Sequence, residues 1–421
     1  MIRRYRNKIY QLLRWSERYT KTDMLYLAKG GLWVTSGQTI TSILSLGLIV
    51  AFANLLPKET YGIYRYILAL AGVLNIFTLT GMNSAVARAV ASGNDGALKV
   101  SVLYQLKWNM VMLVAFWALS AYYFINTDTL LGTSFLILGV LVPPTLALNT
   151  YGAYLEGKKK FGFASISNIV SATVYVAGTF TAIIFSGEVL WLVVAYALST
   201  FTSTLFFYFF IIKKFQLGDI APLSNEMLKY GRELTFIRLI GPITAQIDKI
   251  ILAHYWGPAQ LATYLLALAV PDRVALFIKN WVGLGFPKFV EKTPEEINTV
   301  FSKRILQGMF VGGIIGVFYI LLAPYFFKYL LPQYLDGVIY SQVLAISFLF
   351  AMPNRYLSLL FEAQKMSRII FIRSIVQSAI LLTLYTTLGI FGGILGLVIA
   401  YTLNSFISVL VGTTIWKMST R

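Results

Sequence analysis

RLIGPITAQIDKIILAHYWG, residues 238–257, is long and apolar enough to cross a bilayer, yet it carries Arg238, Asp248 and Lys249 well inside. A Lys, Arg or Asp at the centre of a spanning helix costs about 2.5–3.5 kcal/mol on insertion scales. Several such residues persist in one span only where they turn from lipid toward protein or water. The stretch therefore predicts a membrane helix facing an interior cavity.

The rest of the chain agrees with a lipid setting. Of 421 residues, 12% are charged and 57% hydrophobic, with 30 Phe, 26 Tyr and no Cys; mean hydropathy is +0.71. A soluble chain carries about a quarter charged residues. The lack of Cys excludes a disulfide framework and thiolate chemistry. Residues 1–30 differ: Ile2, Tyr5, Ile9, Leu12 and Leu13 share one helical face and Arg and Lys fill the rest. That pattern predicts a basic amphipathic segment lying in the headgroup layer, and it lacks the short apolar core and small-residue site of a cleaved leader.

Apolar runs of about twenty residues predict about twelve spanning helices, near 33–55, 63–83, 108–125, 132–152, 164–186, 189–211, 234–254, 261–283, 305–327, 337–360, 368–388 and 393–416. Basic residues then alternate between loops. With the N-terminus inside, the inner segments hold Arg88, Lys99, Lys107, Lys158, Lys159, Lys160, Lys213, Lys214, Lys229, Arg232, Lys288, Lys292, Lys303, Arg304, Lys365, Arg368, Arg373, Lys417 and Arg421 besides the basic N-terminus, whereas the outer loops hold only Lys58 and Lys328. The asymmetry places both termini in the cytoplasm. It also accounts for the net charge of +18 as topogenic residues meeting anionic lipid. Nothing supplies the basic face with stacking aromatics that nucleic acid requires.

Two internal echoes predict a repeat. YLEGKKKFGFASISNIVSA (154–172) matches LFEAQKMSRIIFIRSIVQS (360–378) at Glu156 and Glu362, Lys159 and Lys365, Ile166 and Ile372, Ile169 and Ile375, and Val170 and Val376. ANLLPKETYGIYRYILALA (53–71) pairs with AHYWGPAQLATYLLALAVP (253–271), setting Tyr64 against Tyr264 and Ala69 against Ala269. Their order implies two six-helix lobes, 31–215 and 216–421, joined near Phe215 to Arg232.

IDKIILAHYWGPAQLATYLLA (247–267) resembles a recurring run of the polysaccharide flippases of the multidrug, oligosaccharidyl-lipid and polysaccharide exporter superfamily: a membrane acid, a basic residue, a Gly-containing turn and a Tyr entering the eighth helix. FANLLPKETYGIYRY (52–66) resembles the first-half version. The resemblance implies an all-α, V-shaped pair of pseudo-symmetric bundles like those of the MATE transporters, set in the bacterial or archaeal plasma membrane. It implies alternating access that carries a polyprenyl-pyrophosphate-linked oligosaccharide from the inner to the outer leaflet for cell-surface polysaccharide synthesis. A polysaccharide polymerase and glycosyltransferases are the partners such a role implies.

Within the spans, Arg65, Arg238, Lys249, Arg273, Lys279 and Arg355 outnumber Asp248 and Asp272. On an unbroken helix Arg238 and Lys249, eleven residues apart, return to one face, as do Asp272 and Lys279. A cationic cavity suits a pyrophosphate headgroup, since Arg forks onto phosphate oxygens and Lys acts as a point charge. Arg65, Arg238, Lys249, Arg273 and Lys279 are the expected headgroup ligands, and Asp248 and Asp272 restrain them or exchange H+ or Na+. Alternatively Asp248 pairs with a neighbouring cation, and Arg65 and Arg355 snorkel to an interface. Thr35, Gln38, Ser42 and Ser45 form a stripe on the first helix, with Gln38 a candidate sugar ligand; the same stripe serves equally as helix-packing glue. Pro143, Pro144, Pro242, Pro271 and Pro353 are either hinges or fixed kinks, His254 an interfacial residue, and Gly392 and Gly396 a close-packing pair.

No Gly-rich phosphate loop followed by Lys and Ser or Thr is present, so no ATP-driven engine is predicted. No metal site, cofactor or catalytic group is expected. The alternatives are an ion-coupled multidrug exporter, which favours an acidic cavity, and a membrane glycan polymerase or ligase, which needs a reactive outer loop. The one sizeable outer loop, KYLLPQYLDG (328–337), offers no acid–base pair.

Overall fold

The structure, a computed structural model, describes residues 24–217, 225–283, 294–364 and 366–419. Every regular element among them is helical. The first half comprises α1 (Met24–Leu55), α2 (Lys58–Val73, ending in a 3-10 turn, Leu74–Phe77), α3 (Gly81–Ala91), α4 (Ala97–Trp108), α5 (Met110–Ile125), α6 (Thr129–Leu148), α7 (Tyr151–Gly157), α8 (Phe161–Phe185) and α9 (Val189–Lys214). The second comprises α10 (Asn225–Ile237), α11 (Ile240–Thr244), α12 (Ile247–Trp256), α13 (Pro258–Gly283), α14 (Pro294–Leu330), a 3-10 turn (Pro332–Gly337), α15 (Val338–Ala345), α16 (Phe348–Ala363) and α17 (Ser367–Ser419). Expectations on residues 1–23, on Lys288, Lys292 and Lys365, and on the centre of the inter-lobe join lie outside the described residues.

Nine described helices are long and apolar enough to cross a bilayer, and the pair Pro332–Ala345 and Phe348–Ala363, bent by 45°, makes a tenth. α17 has 53 residues, which at 1.5 Å per residue is about 80 Å and far more than one crossing. It reverses at Gly393 (φ 54, ψ −135), so that Arg373 Nη2 donates to Ser408 Oγ at 3.2 Å, 35 residues along the chain. The reversal supplies an eleventh crossing. The twelfth is the span expected near 234–254, which is not one helix but the end of α10 followed by α11 and α12. The expected two-lobe, twelve-span membrane fold is thus recovered, with α2 starting five residues before its predicted span.

Packing differs between the two ends of the bundle. At the end carrying Lys58, one hydrophobic core draws on both halves, with Phe52, Tyr61 and Tyr64 beside Leu252, Tyr264, Phe327 and Tyr334. Burial of several aromatic side chains at about 1.5–3 kcal/mol each holds the halves together there. Polar contacts reinforce it: Asn54 Nδ2 donates to the Leu330 carbonyl at 2.9 Å, Lys58 pairs with Asp336 at 3.2 Å, and the Lys58 ammonium lies 4.8 Å from the Tyr334 ring centre. Gly62 meets the backbone of Pro258 so closely that a Cβ would collide with its carbonyl. At the opposite end the cores are separate, one around Val86, Leu98, Tyr151 and Phe207 and another around Phe301, Tyr356, Leu360 and Trp416. Toward that end the halves meet through narrower contacts, chiefly α3 with α10, with α11 against the 3-10 turn after α2 and Asn280 donating to Gln38.

Three placements correct the charge reading. Arg373, expected in an inner loop, lies inside α17 and is 6% exposed, held by Asn354, Ser358 and Ser408. Lys303 and Arg304 belong to the first turns of α14 rather than to a loop. Arg355 pairs with Glu362 at 3.5 Å instead of reaching alone for an interface.

Candidate functional site

The seventh span breaks because of its own sequence. Pro242 cannot donate to the carbonyl four residues back, Arg238, and its ring crowds that oxygen. The helix stops at Ile237, Gly241 N instead bonds Arg238 O at 3.1 Å, and a second interruption follows at Gln246 (φ −127, ψ −14). The breaks overturn the phase argument that set Arg238 and Lys249 on one face. Lys249 turns into the centre of the molecule, whereas Arg238 lies near Ser84 Oγ, at 3.5 Å, beside a different cavity.

The central cavity, about 410 Å³, lies between the halves. Ile49, Tyr61 and Arg65 enter it from α1 and α2, and Asp248, Lys249, Tyr264, Asp272, Arg273, Tyr385 and Tyr401 from the second half. Five of the eight charged or amide candidates thus meet in one place: three cations against two carboxylates. Asp248 is 6% exposed and accepts from the Tyr264 hydroxyl at 2.9 Å and from Lys249 Nζ at 3.4 Å. Lys249 also donates to the Ala245 carbonyl. Asp272 is exposed to the cavity. Arg65 stands 6.0 Å from the Tyr61 ring centre, with its Nε buried and without a hydrogen-bond partner. Its place is therefore inside the protein and not at a snorkelling interface.

A second cavity of about 320 Å³ adjoins the first through Arg273 and is lined by Thr35, Gln38 and Ser42 of α1 and Asn280 and Trp281 of α13. Asn280 Nδ2 donates to Gln38 Oε1 at 2.9 Å. The polar stripe of the first helix therefore faces a hydroxyl- and amide-rich cleft while also bridging two helices. Lys279 is exposed on α13, seven residues beyond Asp272. A larger groove of about 960 Å³ between α14 and α16 is lined only by apolar side chains and glycine, as befits a flank covered by lipid.

Sequence reasoning missed the tyrosines. Tyr64 and Tyr264 served only as repeat markers, yet both are 1% exposed or less, and Tyr64 meets the Tyr175 hydroxyl at 3.4 Å. Tyr61 stands one turn before Arg65 on α2 and lines the cavity with it, but its sequence setting is equally that of a core aromatic. Tyr385 and Tyr401 stand in uncharged runs that carry no motif, so only the tertiary fold locates them.

The cavity combines three cations with two carboxylates and largely buried phenolic rings, a set whose excess positive charge suits an anion. The fold has known counterparts. A MOP superfamily transporter from Pyrococcus furiosus superposes with a TM-score of 0.60 at 17% identity, over 94% of this chain and 95% of that one. A multidrug resistance MATE family transporter in an inward-facing conformation gives 0.61 at 18% identity, again over 94% and 95%. A putative O-antigen transporter of Shigella flexneri is 22% identical over 258 residues, 56% of this chain. The chain matches 60% of that relative's length. The pattern that defines the polysaccharide biosynthesis proteins matches residues 27–271, more than half of the chain, and takes in Arg65, Asp248 and Lys249 of the central cavity but not Asp272, Arg273, Tyr385 or Tyr401. The chain therefore belongs to the polysaccharide biosynthesis protein family.

Proposed function

We propose that this chain is a flippase that moves a polyprenyl-pyrophosphate-linked oligosaccharide across the membrane by alternating access. The observation that carries the reading is the meeting of Arg65, Lys249 and Arg273 in one cavity between the halves. Cations in a site of low dielectric favour a pyrophosphate strongly, and release to water on the far side follows when the cavity opens there. Family membership and the likeness to a putative O-antigen transporter support the same class of cargo. The chain works as a transporter and not as an enzyme.

Orientation follows from the basic residues, which set the Arg88 end in the cytoplasm and the Lys58 end outside. Sealed by a shared core at the Lys58 end and joined by narrower helix contacts at the other, this conformation is inward-facing. Asp248 is occupied by Tyr264 and Lys249, which leaves the exposed Asp272 as the acid for H+ or Na+ exchange. Membrane potential acts on anionic cargo as well, at about 2.3 kcal/mol per charge per 100 mV. A second reading, an ion-coupled multidrug exporter, takes its support from Asp248 and Asp272 standing among tyrosines, a set that suits organic cations.

Lipid extracts of the source cells with and without the gene separate the two readings. Accumulation of a polyprenyl-pyrophosphate oligosaccharide on loss of the gene, reversed by the intact chain but not by a Lys249→Ala, Arg273→Ala double variant, is the flippase outcome. An unchanged lipid pool with heightened sensitivity to cationic drugs assigns the cavity to drug export.

A further inference from the structure

The two halves differ at one equivalent position. In the first half α1 runs unbroken against α8, with Gly37 close enough to Ser165 that a Cβ would sit 3.0 Å from its side chain and Gly30 equally tight on Phe161. In the second half the corresponding helices, the broken seventh span and the first arm of α17, pack together at α12, where Trp256 donates to the Gly389 and Ile390 carbonyls, and draw apart beside Ile237 to Gly241. Between them lies a groove of about 410 Å³ whose walls are Ile237, Arg238, Gly241, Phe371, Ser374 and Ser378, among others.

The groove lies one helical turn from the central cavity on both of its walls. Gly241 lines the groove, and Thr244 and Ala245, one turn on, line the cavity; Ser378 lines the groove, and Leu381, one turn on, lines the cavity. Its outer wall is apolar and uncovered, with Ile237 52% and Phe371 39% exposed. Arg238 supplies the one fixed charge. The gap stays open because α10 is drawn to the other half. Gly81 N donates to Thr235 Oγ1 at 3.0 Å, and Gly81 and Gly231 bring α3 and α10 so close that a Cβ on either would collide with the partner helix.

We propose that this gap between the seventh and eleventh spans is a lateral portal, through which the isoprenoid chain of a lipid-linked anion stays in the bilayer while its headgroup occupies the central cavity. The inference rests on the flippase reading. An apolar groove adjoining a cationic chamber matches an amphiphile whose charged end is small and whose tail cannot leave hydrocarbon. Arg238, which the broken helix removes from the chamber, meets the phosphates as they pass the threshold.

The chain lacks cysteine, so single cysteines carry a photoreactive benzophenone without background. The intact chain with Ser374→Cys, reconstituted in liposomes, is compared with Leu322→Cys, an exposed site on the far flank. With a tritiated polyprenyl pyrophosphate, labelling at 374 is expected to exceed that at 322 by roughly tenfold, because a tail held in the groove has a raised local concentration. Excess unlabelled probe should abolish it. Saturable binding of the probe with equal labelling at both sites overturns the portal and leaves the flippase reading standing; no saturable binding overturns both. In a second variant, Ser374→Trp fills the groove. Transport of the lipid probe should be lost while inorganic pyrophosphate, which needs no portal, binds as to the unaltered chain; unimpaired transport overturns the proposal.

Discussion

The Tyr264 hydroxyl donates to Asp248 Oδ2 at 2.9 Å, joining residues on either side of the turn at Gly257. The bond fixes α12 against α13 and takes one of the carboxylate's two oxygens, leaving the other to Lys249. Tyr264→Phe removes the donor without changing the packing volume. A hydrogen bond to a charged group contributes about 1.5–3 kcal/mol, so the variant should melt at lower temperature by a loss of that order. Asp248→Asn should cost much less when added to the Tyr264→Phe variant than when made alone, a non-additivity that a double-mutant cycle reads directly. Equal and additive losses would place the stabilisation elsewhere.

Arg373 tests a different assignment. Its guanidinium touches Asn354 Oδ1 at 3.3 Å and Ser408 Oγ at 3.2 Å, and Gln377 also donates to Ser408. Among the described residues no carboxylate pairs with it. Its work is to tie α16 to both arms of α17. Arg373→Ala takes the donor from Asn354 Oδ1, at about 1–3 kcal/mol, while Ser408 keeps Gln377, so thermal unfolding of the purified protein should shift down while reporter fusions show unchanged topology. A topogenic residue predicts the reverse pattern.

These two residues also show how far the sequence was legible. Spans were readable because about twenty apolar residues in succession have few other uses, and Asp248, Lys249, Asp272 and Arg273 stood out because charge is costly in hydrocarbon. Arg373 was misread because proximity to a loop stands in for exposure, and only the fold shows that α17 doubles back on it. The phase of Arg238 against Lys249 failed at Pro242, since a period of 3.6 carries no information across a broken helix. The signal for that break was in the sequence. The tyrosines of the cavity were not marked, because an aromatic residue at a helical position suits a core, a lipid face and a binding wall alike.

The Lys58 end should open when cargo is moved. Lys58 and Asp336 are paired at 3.2 Å, with side chains 32% and 55% exposed, so the pair itself contributes little to stability. Spin labels at these two positions in the cysteine-free chain should give one short distance without cargo. Addition of a polyprenyl-pyrophosphate oligosaccharide should add a longer population as outward-facing molecules accumulate. A single unchanged distance during measurable transport would exclude opening at this end.

Gly257 separates backbone cost from crowding. It sits at φ 91, ψ 165 between α12 and α13, a region that residues with a Cβ rarely enter. A methyl there would meet nothing within 4 Å. Gly257→Ala therefore carries a conformational penalty alone, about 1–3 kcal/mol for a residue held in such a region. That loss should appear as reduced thermal stability, and it should be accompanied by weaker transport, since the turn sets the register that brings Tyr264 onto Asp248. Gly241→Ala is the matched comparison: its Cβ is equally unobstructed, but it lies inside α11 at a helical position. That substitution should be neutral or stabilising by the lower entropy of the unfolded chain. If both alanines behave alike, the turn at Gly257 is not held by its backbone conformation.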